Sequence, residues 1–300
     1  MTIPNFLIIG SQKAGTTAIY RSLKQHPEIF MSEKKEPGFF AFEGERLEFR
    51  SPTGKPVHMN IYGVTDLEAY RQLFSKVTDQ KAIGEASVVY LISEKAPQRI
   101  RHYIPDAKLI AILRHPVELA HACFIMHRRD GLEPLSDFAA ALEDQERRIR
   151  NNYFGGIYLQ EGFYHRHLRR YFDLFNEDQI RIYLYDDFKA DALAVLSDMF
   201  RFLGVDDGYV PDMSIRENVS GLPRNRLLYG LLTERRNPIV PYLKPYLPQA
   251  VRRFLIGLKH RNLEKPTLAP ELSKQLIEVF REDIGKLQTL IDRDLSKWLE

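Results

Sequence analysis

Pro4-Asn5-Phe6-Leu7-Ile8-Ile9-Gly10-Ser11-Gln12-Lys13-Ala14-Gly15-Thr16-Thr17 decides how this chain is read. Phe6 to Ile9 is a short apolar run and reads as a buried strand. Thr16 to His26 reads as a helix, stopped by Pro27. Gly10 to Thr17 therefore joins a strand to a helix. Its glycines let the backbone turn sharply and aim several N–H groups inward, and the helix start adds a positive dipole end. Together these make an anion cradle.

The same grammar repeats outward from that stretch. Lys108 to Leu113 reads as a second buried strand, followed by Arg114-His115-Pro116 and a helix to about Arg129. Gln179 to Leu184 is a third strand candidate, with a helix from about Ala190 to Leu203 that Gly204 ends. Strands alternating with helices predict an α/β fold: a P-loop-like, three-layer arrangement with a central, mostly parallel sheet flanked by helices. In such sheets ligands bind beyond the carboxyl ends of the strands, which puts Gly10–Thr17 and Arg114–Pro116 in one site. The loop approaches the Walker A pattern G-x-x-x-x-G-K-[ST], but Thr16 stands at the lysine position and the lysine is mid-loop, at Lys13. A nucleoside triphosphatase would lack its lysine on the β/γ-phosphates.

The remaining chain is read more simply. Residues 44–60 are rich in Gly, Pro and charge and read as a loop or lid. Residues 238–248 carry four prolines and read as irregular. Leu272, Leu276, Phe280, Ile284, Leu287 and Ile291 make a helical stripe suited to packing. The 300 residues are 44% hydrophobic and 28% charged, which reads as globular and suits one α/β domain. One domain over 1–300 is expected, with its core at about 4–226 and a basic helical region at 227–300. A single cysteine, Cys123, allows no internal disulfide, and a reducing, cytoplasmic setting fits best. The start has no signal-peptide pattern, and no apolar stretch of about 18 residues occurs, so no transmembrane segment is expected. Between Arg224 and Lys265 ten Lys/Arg face two Glu. That run suits a weak contact with a membrane surface or an acidic carrier protein, or simply a solvated basic face. It carries no recognition motif, so no nucleic-acid partner is expected.

The fourteen residues of the opening stretch resemble the 5′-phosphosulfate loop of sulfotransferases that use 3′-phosphoadenosine-5′-phosphosulfate (PAPS), most closely the heparan-sulfate type and its soluble bacterial relatives. Further segments follow that family's order. Lys35-Glu36-Pro37-Gly38-Phe39-Phe40 resembles its K-E-x-x-F-F segment, and Gly84-Glu85-Ala86-Ser87-Val88-Val89-Tyr90 its G-E-x-S/T-x-x-Y segment. Arg114-His115-Pro116 matches the R-x-P that opens the 3′-phosphate motif. Gly162-Phe163-Tyr164, Tyr185–Phe188 and Phe202–Gly204 match the later framework. Asn218-Val219-Ser220-Gly221 with Arg224 resembles a late loop that approaches the nucleotide.

The resemblance implies roles. Lys13 would meet the bridging oxygen of the departing nucleotide, where charge develops. Ser11, Gln12, Ala14, Gly15, Thr16 and Thr17 would cradle the 5′-phosphosulfate. Arg114 would hold the 3′-phosphate, with Gly221 and Arg224 approaching from the late loop and Arg226 as a further candidate there. Glu36 would be the general base toward the acceptor. Its bland reading is a surface carboxylate paired with Lys34 or Lys35. The rival bases are His26, His115, His121 and His127. Phe39, Phe40 and Tyr90 would line the acceptor pocket, or belong to the core. The product would be 3′,5′-adenosine bisphosphate, and no metal is expected. The acceptor would be a small molecule such as a natural product, a glycolipid or a carrier-bound chain.

The family's R-x-P-x-x-R-x-x-S motif is broken here: Leu119 replaces its second arginine and Ala122 its serine. A lost hydroxyl could cost about 1–3 kcal/mol of nucleotide binding. His121 or the basic late loop are the candidates to compensate. Ala86 stands where the heparan-sulfate enzymes often carry lysine, which argues against a polysulfated glycan acceptor. The alternatives are a P-loop kinase or nucleoside triphosphatase needing Mg²⁺, and a degenerate nucleotide-binding relative without turnover.

Overall fold

The computed structural model describes residues 2–54, 56–57, 63–151, 153, 155–213, 221–232, 251, 255–258, 261–264 and 266–300. Among the described residues nine short strands follow in chain order: β1 Phe6–Gly10, β2 Ile29–Met31, β3 Phe49–Arg50, β4 Pro56–Val57, β5 Ala82–Ala86, β6 Lys108–Leu113, β7 Ile180–Leu184, β8 Leu222–Pro223 and β9 Leu263–Glu264. Five of them form one parallel sheet in the order β2-β5-β1-β6-β7. β1 is central, with Phe6 opposite Gly84 on one side and Lys108 on the other.

The sheet explains the uninterrupted apolar runs. Successive strand side chains point to opposite faces, and both faces are covered by helices. Leu7 and Ile9 enter one core cluster while Phe6 and Ile8 enter the other. β6 divides in the same way, Leu109, Ala111 and Leu113 against Ile110 and Ile112. Each such fully buried aliphatic side chain stabilises the fold by about 1.5–3 kcal/mol.

The first face is closed by the helices Pro116–Asp130, Tyr164–Phe172 and Pro270–Ile291, through Cys123, Leu168, Tyr171 and Phe280. The other is closed by Thr16–Gln25 and Ala192–Leu203, through Ile19, Leu23, Met199 and Phe200. The expected C-terminal stripe lies within Pro270–Ile291 and packs into the same core as the sheet. Gly204 ends its helix with φ 79°, in keeping with its position in the sequence.

The 44–60 stretch contains an antiparallel ribbon, β3 with β4, in its described part. Residues 214–220, which include Asn218, Val219 and Ser220, lie outside the described residues, as do the four prolines of 238–248 and much of the basic run. No helix among the described residues is long and apolar enough to cross a membrane.

Candidate active site at the carboxyl ends of β1, β5 and β6

The loop after β1 is built by its neighbours. The Ser11 N–H donates to the Ile112 carbonyl of β6 (2.7 Å), and its hydroxyl donates to the same oxygen (3.2 Å). The chain then turns through Lys13 at φ 57° and Gly15 at φ 88° before the helix opens at Thr16. A Cβ on Gly15 would lie 3.3 Å from the Tyr185 ring in a backbone region that side chains avoid, so glycine is required there. No side chain caps this helix, which leaves the first-turn N–H groups of Thr16 and Thr17 for an external acceptor.

Lys13 is half-buried, and its ammonium makes no hydrogen bond or ion pair among the described residues. Burial lowers its pKa, and Arg129 and Arg114 lower it further, against opposing effects of Cys123 and Asp130. Gln12 is held on both ends: its amide donates to Glu161 Oε1 (2.9 Å) and its oxygen faces Cys123 Sγ (3.8 Å). Burial pushes the Glu161 carboxyl up to about 7.

On the β6 side stands Arg114, 8% exposed. It donates to Glu118 Oε2 through Nε (3.0 Å) and Nη2 (2.6 Å), and to the Lys13 carbonyl through Nη1 (3.1 Å). A guanidinium has five N–H groups, so two remain for an anion. The Tyr185 ring lies 5.2 Å from its charge. Tyr164 OH donates to the Arg114 carbonyl (2.8 Å) and lies 3.4 Å from Ser11 Oγ, stitching the two loops together.

On the β5 side stands Glu36. Its N–H donates to the Ala86 carbonyl (2.9 Å), its Oε2 accepts from the Val88 N–H (2.8 Å), and its Oε1 pairs with Lys35. The Ser87 N–H in turn donates to Ile8 of β1 (3.0 Å). The phosphate loop follows β1, Arg114 follows β6, and Glu36, in the segment after β2, is bonded to the end of β5, so the three gather at adjacent strand ends. Among the described residues only Lys13, Glu36 and Asp292 combine a side chain with positive φ. Such backbone costs on the order of 1 kcal/mol and gathers at functional sites.

Other expected residues fall elsewhere. Phe39 (0% exposed), Phe40 (1%) and Tyr90 (0%) are core residues. Phe39 stacks on Tyr70 at 4.5 Å, and none of the three presents surface to an acceptor. Leu119 is fully buried in the core, so the family's arginine position has become a packing position. Arg224 is exposed, 3.4 Å from Glu264, on the ribbon β8–β9. Gly221 is buried there, and a Cβ would meet the Glu264 carbonyl at 2.9 Å. Of the rival bases, His26 bonds the Asp206 carbonyl and the Glu28 N–H, and His115 caps its own helix. Burial lowers the His127 pKa to about 4, and His121 packs on Phe138. Sequence reasoning missed the parts played by Glu85, Glu161 and the Tyr164 hydroxyl, because a polar group's role inside a core leaves no spacing signature.

The sequence model described as the sulfotransferase family matches residues 4–209. The bifunctional heparan sulfate N-deacetylase/N-sulfotransferase 4 of Mus musculus is 26% identical over 310 residues, which covers 95% of this chain and 32% of the mouse protein. The corresponding enzyme 3 of Homo sapiens is 27% identical over 298 residues, covering 95% and 32%. The chain spans about a third of the length of these relatives. The crystal structure of a sulfotransferase from Alicyclobacillus acidocaldarius matches with a TM-score of 0.76 and 31% identity, covering 100% of both chains.

Proposed function

This chain belongs to the sulfotransferase family, and on that premise we propose that it transfers a sulfuryl group from PAPS to a hydroxyl or amine of a small-molecule, lipid or carrier-bound acceptor. The observation that carries the reading is Lys13. A half-buried ammonium without a bonding partner among the described residues, beside an uncapped helix start, fits a phosphosulfate.

The first-turn N–H groups and hydroxyls of Thr16 and Thr17 hold the 5′-phosphosulfate, with Ser11, Gln12, Ala14 and Gly15 shaping the loop. The two remaining donors of Arg114 take the 3′-phosphate. Gly221 and Arg224 belong to the same nucleotide-binding set, with the exposed Arg224 guanidinium beside Glu264. The acceptor oxygen or nitrogen attacks sulfur, and the bond from sulfur to the bridging phosphate oxygen breaks. Glu36 takes the acceptor's proton. Negative charge grows on the departing 5′-phosphate, where Lys13 stabilises it.

The test is thermal unfolding with 3′,5′-adenosine bisphosphate, PAPS, or ATP with Mg²⁺. A ligand at 100 times its Kd stabilises the native state by about 2.7 kcal/mol. The 3′-phosphorylated nucleotides should raise Tm, and Arg114→Ala should abolish the rise. A rise with ATP and Mg²⁺ alone would overturn the donor assignment.

A further inference from the structure

Glu85 is the second-to-last residue of β5 and is 0% exposed. No cation pairs with it among the described residues. Three hydroxyls donate to it instead: Tyr90 (2.6 Å) and Tyr70 (3.2 Å) to Oε1, and Ser87 (2.8 Å) to Oε2. Burial pushes its carboxyl up to about 7, against the pull of the Tyr90 and Ser87 bonds. The transfer chemistry has no direct use for this group.

Its effect lies in bond direction. A hydroxyl has one proton and two lone pairs. Because Ser87 and Tyr90 each point their proton at Glu85, their lone pairs are left to accept. Ser87 Oγ accepts from the Gly38 N–H (3.0 Å), and the Tyr90 oxygen accepts from the Phe40 N–H (3.4 Å). Gly38 caps and Phe40 stands in the short helix Phe39–Phe42, which begins just after Glu36 at φ 61°.

We propose that Glu85 is a positioning residue: its carboxylate orients the Ser87 and Tyr90 hydroxyls so that they clamp the Gly38 and Phe40 amides, and the clamp sets where the Glu36 carboxylate stands. The functional half of this rests on Glu36 being the acceptor's base. An amide of the same size could not do it. A glutamine in place of Glu85 would present an NH₂ to one of the hydroxyls, whose own proton would then point at a backbone N–H or into apolar side chains.

The experiment is hydrogen–deuterium exchange on the full chain, comparing the parent with Glu85→Gln. Ser87→Ala is a milder second variant if the first does not fold. Amides of residues 36–42 should exchange about tenfold faster, while those of β1 stay protected. The Tm rise given by 3′,5′-adenosine bisphosphate should be unchanged. Unaltered exchange at 36–42, or acceleration spread evenly over the sheet, would overturn the proposal. Sulfate release from PAPS in water supplies the functional arm. Glu85→Gln should lower kcat about tenfold or more, and lower it no further in a Glu36→Gln background, because residues acting through one another are not additive. Additive losses would overturn the link to Glu36. A Glu36→Gln enzyme as active as the parent would instead sink the base assignment itself, whatever the exchange reports.

Discussion

Glu161→Gln should make the protein more stable at pH 8 and leave it almost unchanged at pH 4. Glu161 accepts one hydrogen bond, from Gln12, and no cation pairs with it among the described residues. Burial moves its carboxyl from the ordinary 4.5 to about 7. Between those values the folded chain keeps a proton that the unfolded chain has released, so stability falls as pH rises through this window. The displacement corresponds to roughly 3 kcal/mol at pH 8. Glu161 is not sealed from solvent, so the gain on removing its charge should be about 1–3 kcal/mol. Glutamine keeps an oxygen for the Gln12 amide, so the packing of the loop survives the change. Urea unfolding at the two pH values measures the effect. Binding of 3′,5′-adenosine bisphosphate should also tighten at pH 8 only, because a carboxylate beside the anion loop has been neutralised. Equal stability at pH 8, or the same gain at both pH values, would refute the reasoning and make Glu161 a packing residue.

Lys13 should impose an alkaline limit on nucleotide binding. Burial holds its pKa below the ordinary 10.5, and a bound anion restores it, so affinity should fall between the depressed value and 10.5 with loss of one proton. Calorimetric titration with 3′,5′-adenosine bisphosphate should show this limb in the parent and not in Lys13→Ala. Glu118→Gln should tighten nucleotide binding by up to about fivefold. Glu118 occupies two N–H groups of Arg114, while its own side chain is 52% exposed and its pair is worth at most about 1 kcal/mol. Weaker binding in the same titration would show that the pair holds Arg114 in place. Ala122→Ser should raise affinity by up to about tenfold if the helix face still meets the nucleotide; a loss would mean that this face is closed to it.

The sheet was legible because a strand buried on both faces writes itself as an unbroken apolar run. Phe6–Ile9 and Lys108–Leu113 stand out for that reason, and their parallel pairing follows from the helices between them. The loop was legible because Gly15 fills a position that few other residues can fill. The acceptor side was less legible. Phe39 and Phe40 carry the same letters whether they face a ligand or a core, and here they face the core. Arg148 shows the limit most sharply. It stands in the charged run Gln145–Arg150, yet it is 0% exposed and bonded to Glu133 (2.5 Å), which also accepts from Tyr158 (2.6 Å). A buried ion pair is specified by three-dimensional neighbours, not by spacing along the chain.

The strand order gives the two halves of the site separate supports. Arg114 and Tyr164 hold the phosphate loop from the β6 side, and Ser87 and Glu85 hold the Glu36 segment at the end of β5. The broken motif, Leu119 and Ala122, lies entirely on the helix that follows β6. On the proposed reading its loss would fall on binding of the nucleotide's 3′ end and leave the β5 side intact. Leu119 is committed to the core, so restoring arginine there would bury an unpaired charge at a cost of several kcal/mol. Ala122 needs only a hydroxyl. A chain that keeps Lys13 and Glu36 on left-handed backbone retains a structural cost that packing alone does not require. That cost fits an enzyme better than a binding module that has lost turnover.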